Sequence, residues 1–341
     1  MKSKILVIVT ISCIISVTCE KQENGLEDFD RYEIANWSAG WFPEDPVNIR
    51  KLNTQFDDYN SYLPVIGRRL DLYYSTNKDT EGDNFDISAT CIDAFFNYED
   101  SIFYFSPRDY PYYSYYLLPK INTGYNELGP FGFYTDSLPN QGQWIFLYAG
   151  DSLGNYDIRF VYTDPSDWGH WDSRRKIFGP FEAIVFNSAS DDLYPTINKE
   201  HNKFYFSSNR DHDYNIYEIS ISGDSIIEWL VSGQDEPEVC ENLSSPYDDK
   251  CPYINGNLMV FASDSRSGYG GFDLWYSVYE NGQWSDPYNF GPRINTEFDE
   301  YRPAFELFPD SNNDLMIFSS NRPGGEGGFD LYYVGISKMI E

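Results

Sequence analysis

The chain has 341 residues, with 54 acidic against 24 basic side chains and a formal charge of −30. Phosphate binding needs clustered Lys and Arg, so this balance excludes nucleic acid as a partner and fits a solvated acidic surface. An aromatic fraction of 18% suits strands that pack ring against ring.

At the N-terminus, Lys2 and Lys4 precede an apolar run over residues 5–17. That run is too short to span a bilayer and suits a cleaved signal. Cys19 follows at once, then a polar stretch. A run ending at a cysteine looks like a bacterial lipoprotein signal and implies lipid attachment at Cys19; an ordinary secretory signal cleaved nearby is the alternative. Acylation would tie a soluble domain to a membrane without a spanning helix. The expected layout is a signal over 1–18, a polar tether over 19–40 and a folded domain over 41–337. The expected place is the bacterial cell envelope, at the outer membrane, facing the periplasm or the surface.

The folded part is repetitive. Asp71-Leu-Tyr-Tyr-Ser-Thr-Asn77 with Phe85-Asp-Ile87 forms a first unit, and Ile102-Phe-Tyr-Phe-Ser-Pro-Arg108 with Tyr115-Tyr-Leu117 a second. Trp144-Ile-Phe-Leu-Tyr148 with Tyr156-Asp-Ile158 forms a third. The last three are clearer: Phe206-Ser-Ser-Asn-Arg210, Phe261-Ala-Ser-Asp-Ser-Arg266 and Phe318-Ser-Ser-Asn-Arg322, each followed by an aromatic strand. In each of these an acid stands three positions before a proline, at Asp192, Asp249 and Glu300. Alternating apolar and polar residues rich in aromatic and β-branched types read as strands. Units of roughly 40–50 residues with about four strands each describe a β-propeller.

Six such units predict an all-β, six-bladed β-propeller of four-stranded antiparallel blades. A propeller has to close or leave open edges. Trp41-Phe-Pro-Glu-Asp-Pro-Val47 and Leu52-Asn-Thr-Gln-Phe-Asp-Asp58 repeat the phrase that joins the last two units. Residues around 41–49 are therefore expected to supply the outer strand of the last blade.

The series Asp-x-x-Pro, Phe-Ser-Ser-Asn-Arg and Phe-Asp-Leu-Tyr resembles the WD-like repeats of TolB-type propellers, from about residue 46 to 337. That resemblance implies an envelope lipoprotein acting as a non-catalytic binding scaffold for a protein or glycan. The alternative is a polysaccharide-active enzyme, hydrolase or lyase, with acids in the central channel. Glycoside cleavage needs two carboxylates flanking the bond.

Because the acid and the arginine recur in most units, they read as structural pairs: Asp192 with Arg210, Asp249 with Arg266 and Glu300 with Arg322. Tyr110, Tyr112, Tyr113, Tyr115 and Tyr116 form a candidate binding surface where the repeat fails. Cys240 and Cys251 are a candidate disulfide, which an exported protein permits, leaving Cys91 free. No catalytic residue stands out. Gly150-Asp-Ser-Leu-Gly154 mimics a nucleophile elbow around Ser152, but a strand rather than a helix follows it. His170, His201 and His212 show no metal-ligand spacing, so no cofactor is expected, with calcium as a minor option beside the Gly-rich turns. Those turns are expected to need glycine for positive φ.

Overall fold

The computed structural model describes residues 33–36, 40–63, 65–66, 69–97, 102–108, 114–135, 142–163, 176–198, 200, 202–264, 268–309 and 311–339. The signal, Cys19, Tyr110, Tyr112, Tyr113, His170, His201 and Arg266 lie outside them.

The chain forms a β-propeller of antiparallel sheets, with five blades rather than six. The first blade runs from an inner strand at Asp58–Tyr62 through Arg69–Thr76 and Asp86–Asn97 to Ile102–Arg108. The inner strands of the other four are Glu127–Tyr134, Asp192–Ile197, Asp249–Asn255 and Glu300–Glu306. The expected first and second units thus merge. Ile102–Arg108 pairs along its whole length with Asp86–Asn97, so the two aromatic strands belong to one sheet. Residues 33–36, expected to belong to the tether, pair with Ile102–Arg108 at the outside of this blade. Tyr115–Leu117, expected as strand, lies in the helix Ser114–Ile121. Ser114, Leu117 and Ile121 fall on one buried face at helical spacing, a period hidden by the tyrosines around it.

Three features recur five times around the ring. The first residue of each inner strand is an acid that accepts a backbone N–H from the residue four before it: Thr54 for Asp58, Thr123 for Glu127, Ser188 for Asp192, Ser245 for Asp249 and Thr296 for Glu300. The same acids donate their own N–H to an aromatic residue's carbonyl on the preceding blade, at 2.6–2.7 Å, from Phe85, Tyr156, Tyr214, Phe272 and Phe329. Each aromatic N–H answers by donating to the side chain just before the acid: Asn126, Asp191, Asp248, Asp299 and Asp57. These reciprocal bonds join every blade to the next and explain the doublets Asp57-Asp58, Asp191-Asp192, Asp248-Asp249 and Asp299-Glu300. Two residues into each inner strand the backbone turns left-handed, at Asn60, Gly129, Tyr194, Cys251 and Arg302, and the ladder slips there. Such bulges twist the strand as it passes the axis.

The Gly-rich turns serve close approach rather than positive φ. Gly324 alone among their described glycines has a positive φ. A Cβ on Gly327 would lie 1.9 Å from the Phe56 carbonyl oxygen, and one on Gly270 would lie 2.4 Å from the Thr296 carbonyl oxygen. Both partners are backbone, so neither can step aside. Gly327→Ala is expected to destabilise by at least about 1–3 kcal/mol. Gly282→Ala faces open space and, at φ +86°, bears only the cost of its left-handed backbone. Urea unfolding of the two variants checks the contrast.

Candidate functional site at the channel ends

The middle of the channel is filled. Tyr62 stacks near Phe131 and Tyr253, with centroids 5.2 and 6.4 Å away, and Tyr253 meets Phe305 at 5.5 Å. Arg302 is fully buried beside them, its guanidinium 5.0 Å from the Tyr194 ring and its Nη2 donating to the Pro130 carbonyl at 3.2 Å. An incoming molecule would therefore meet an end of the channel, not its interior.

At the end where inner strands begin, the acids are committed to the blades. Arg210 Nη2 donates to Asp192 at 2.7 Å, and Arg322 Nη2 donates to Glu300 at 2.9 Å. Glu127 has no arginine at that register: Ser152 stands there, taking a hydrogen bond from Arg159 at 2.6 Å. Ser152 is thus a turn residue held by a neighbouring strand. Burial pushes the Glu127 carboxyl up to about 7, against the hydrogen bonds from Thr123, and Asp86 and Asp151 add to the rise.

This predicts a pH dependence. An unfolded glutamate titrates near 4.5, so between that pH and about 7 the folded chain keeps a proton that the unfolded chain has lost. Stability contributed by this group is full below about 4.5 and is lost as pH rises to about 7. Glu127→Gln should flatten that part of a plot of urea midpoint against pH. An unchanged slope would remove Glu127 as its source.

At the opposite end, where inner strands finish, one acid departs from the repeat. Glu306 lies six residues after Glu300, where the third and fourth blades have Asn198 and Asn255. Burial pushes its carboxyl up to about 7; a backbone bond at Leu307 and the Asn255 amide oppose this, while the Asp314 charge adds to it. Asn255 Nδ2 donates to Glu306 Oε2 at 3.2 Å, and the Phe308 N–H donates to Asp314 at 2.8 Å. Asp71, buried at the same end of the first blade, accepts the Cys91 thiol proton at 3.2 Å. A protonated carboxyl beside a second carboxylate is the equipment of general acid catalysis. The sequence analysis missed Glu306; its signal was an acid at a position held by asparagine in two other blades.

The remaining expected residues fall elsewhere. Tyr115 is 75% exposed and packs edge-on against the half-buried Tyr116. Cys240 and Cys251 are both buried and unbridged, which corrects the expected disulfide. Cys240 packs with Tyr205 and Trp284, whereas Cys251 packs with Leu193 and Tyr194 in a separate cluster. Among the described residues no group of three or more His, Cys, Asp or Glu side chains is placed to hold a metal ion.

No family model matches the chain. It is 34% identical over 125 residues to baseplate wedge protein gp6 of Enterobacteria phage T4, a stretch covering 35% of this chain and 18% of that one. The fold is similar to that of a thermostable family-43 glycoside hydrolase, with a TM-score of 0.54 and 14% identity over 84% of this chain and 91% of that one. It is similar to an endo-arabinase from Bacteroides thetaiotaomicron, with a TM-score of 0.54 and 12% identity over 88% and 98% of the two chains. It is also similar to the RS223 beta-xylosidase, with a TM-score of 0.52 and 8% identity over 85% and 94%. At these identities the likeness concerns the fold. These three solved structures are glycoside hydrolases, which overturns the resemblance to TolB-type repeats. The non-catalytic scaffold, the lipoprotein grouping and the protein-binding role implied by that resemblance fall with it.

Proposed function

We propose that the protein cleaves glycosidic bonds in a polysaccharide, at the channel end that carries Glu306. Glu306 is the proton donor to the leaving oxygen and Asp314 is the second carboxylate. The observation that carries this reading is the place of Glu306 at the end of an inner strand, where the third and fourth blades have asparagine and where Asn255 donates to its Oε2 at 3.2 Å; burial pushes its carboxyl up to about 7 and the Asp314 charge adds to the rise. The shared fold with an endo-arabinase and a xylosidase supports pentose-rich chains such as arabinan or xylan as substrates. Reducing-end release from an arabinan and xylan panel tests it. Glu306→Gln should lower kcat by about 10²-fold or more with KM little changed, and wild-type activity should decline as pH passes about 7. Full activity in Glu306→Gln, or no release from any glycan, would sink this assignment.

We further infer that the ring is closed by the N-terminal strand Val47–Asn48. Its antiparallel pairing with Tyr332 and Tyr333 of the last blade supports this.

A further inference from the structure

At one register four blades carry uncharged pairs and the third does not. Three residues before the partner of each inner acid, the second strand pairs across to the third as Tyr73 with Ala89, Leu147 with Phe160, Val260 with Tyr276 and Ile317 with Tyr333. In the third blade the pair is Tyr205 with Glu218. The last blade shows what a ring does there: Tyr333 stacks on Phe105 of the first blade, with centroids 4.1 Å apart, and fills the seam. Glu218 brings no ring. Its Oε1 lies 2.6 Å from Lys203 Nζ, and a cavity of about 200 Å³ stands between the third and fourth blades.

Tyr205, Cys240 and Trp284 line this cavity as buried residues, and Asn242 and Gln283 as exposed ones. Trp284 comes from the fourth blade and meets Tyr205 edge-on at 5.8 Å. Asn242 Nδ2 donates to the Trp284 carbonyl at 3.1 Å, which pins the fourth blade's outer hairpin across the seam. Burial pushes the Cys240 thiol up to about 12, and the Glu218 charge adds to the rise, so the thiol stays neutral and serves as wall.

Lys203 opens the second strand of its blade, and Gln283 follows the third strand of the next, Asp273–Glu280. The cavity therefore lies toward the end where inner strands finish, which is the end of Glu306. One hairpin links the two places. Asn255 at its start donates to Glu306, and the Asn257 carbonyl at its tip accepts the Tyr279 N–H at 2.7 Å, beside Trp284.

We propose that this cavity holds one sugar unit of a polysaccharide whose cleaved bond lies at Glu306, a proposal that rests on the glycan-cleaving reading above. Vicinal hydroxyls both donate and accept, so a paired carboxylate and ammonium suit them: Glu218 accepts and Lys203 donates. Because these two charges compensate each other, a neutral polyol is favoured over an ion. Tyr205 and Trp284 give the apolar face of the sugar an aromatic wall. The volume falls below the about 300–1,000 Å³ of pockets for drug-sized ligands, which limits the occupant to a single small ring.

Affinity electrophoresis of the full chain in gels holding arabinan or xylan tests this, with Glu306→Gln in every sample so that the glycan is not consumed. Glu306→Gln alone should be retarded by one of the two polysaccharides. Adding Glu218→Tyr gives the third blade the ring of the fourth and last, fills the cavity and should abolish most of that retardation. Adding Glu218→Gln keeps the shape and should weaken binding by about tenfold or more, through loss of a charged acceptor. Retardation relieved by both changes, from a chain whose wild type releases no reducing ends, would sink the Glu306 assignment and keep this site. Cleavage by wild type with retardation unmoved by either change would do the reverse. No retardation by either polysaccharide would also overturn the proposal.

Discussion

Arg322→Ala is expected to lower the unfolding free energy by about 3–5 kcal/mol, the range for stripping one partner from a buried ion pair. The pair is nearly dry, with side-chain exposures of 13% for Arg322 and 0% for Glu300. The guanidinium also ties the Ile294 carbonyl of the preceding loop to the blade, so the loss reaches beyond one carboxylate. Arg322→Lys should recover little, because a point charge cannot bond Glu300, Ser320 and Ile294 together. Arg322→Ala combined with Glu300→Gln should recover part of the loss by removing the stranded charge. The exposed pair between Arg293 and Glu44, at 58% and 59% exposure, is the contrast: Arg293→Ala should cost less than about 1 kcal/mol. Urea unfolding of the four variants checks all of this, and equal losses at Arg322 and Arg293 would contradict it.

That pair was legible in the sequence because an acid before a proline and an arginine after a Ser-containing turn recur in each of the last three units. Asp192 with Arg210 and Glu300 with Arg322 each span one hairpin, and a hairpin's register follows from its length. The blade number was less legible. Residues 69–108 carry two hairpins' worth of aromatic strands, and sequence alone does not say whether a hairpin begins a new blade or widens the old one. Hydrogen bonding decides it, since Ile102–Arg108 has Asp86–Asn97 as its neighbour. The inner-strand bulge was hidden for another reason. Tyr194, Cys251 and Arg302 are not residues that advertise a left-handed backbone, and the ring imposes it on them. Glu306 was obscured by plenty, as one acid among 54. Only comparison with Asn198 and Asn255, at the same distance from their strand starts, singles it out.

Removing residues 41–49 is expected to abolish cooperative unfolding rather than merely lower its midpoint. The segment makes backbone bonds that nothing else in the fifth blade can replace. Val47 and Asn48 pair with Tyr333 and Tyr332, the Ile49 N–H donates to the Leu331 carbonyl at 2.9 Å, and the Gly335 N–H donates to the Pro43 carbonyl at 2.5 Å. Phe42 and Asn313 exchange two further bonds, at 2.8 and 3.0 Å, and Phe42 packs 4.8 Å from Phe308. Ile49 is fully buried, so about 1.5–3 kcal/mol of apolar burial goes with it. Without the segment, the outer edge of Asp330–Ser337, which stays paired to Asn313–Ser320 on its inner side, is left open, and an open edge invites association between chains. The reciprocal bonds between Phe329 and Asp57-Asp58 remain in the truncated chain, yet they join inner regions and leave the outer edge open. The expected result is therefore a broad, concentration-dependent transition in calorimetry. A sharp transition at the wild-type temperature, from a monomer by light scattering, would count against closure of the ring by residues 41–49.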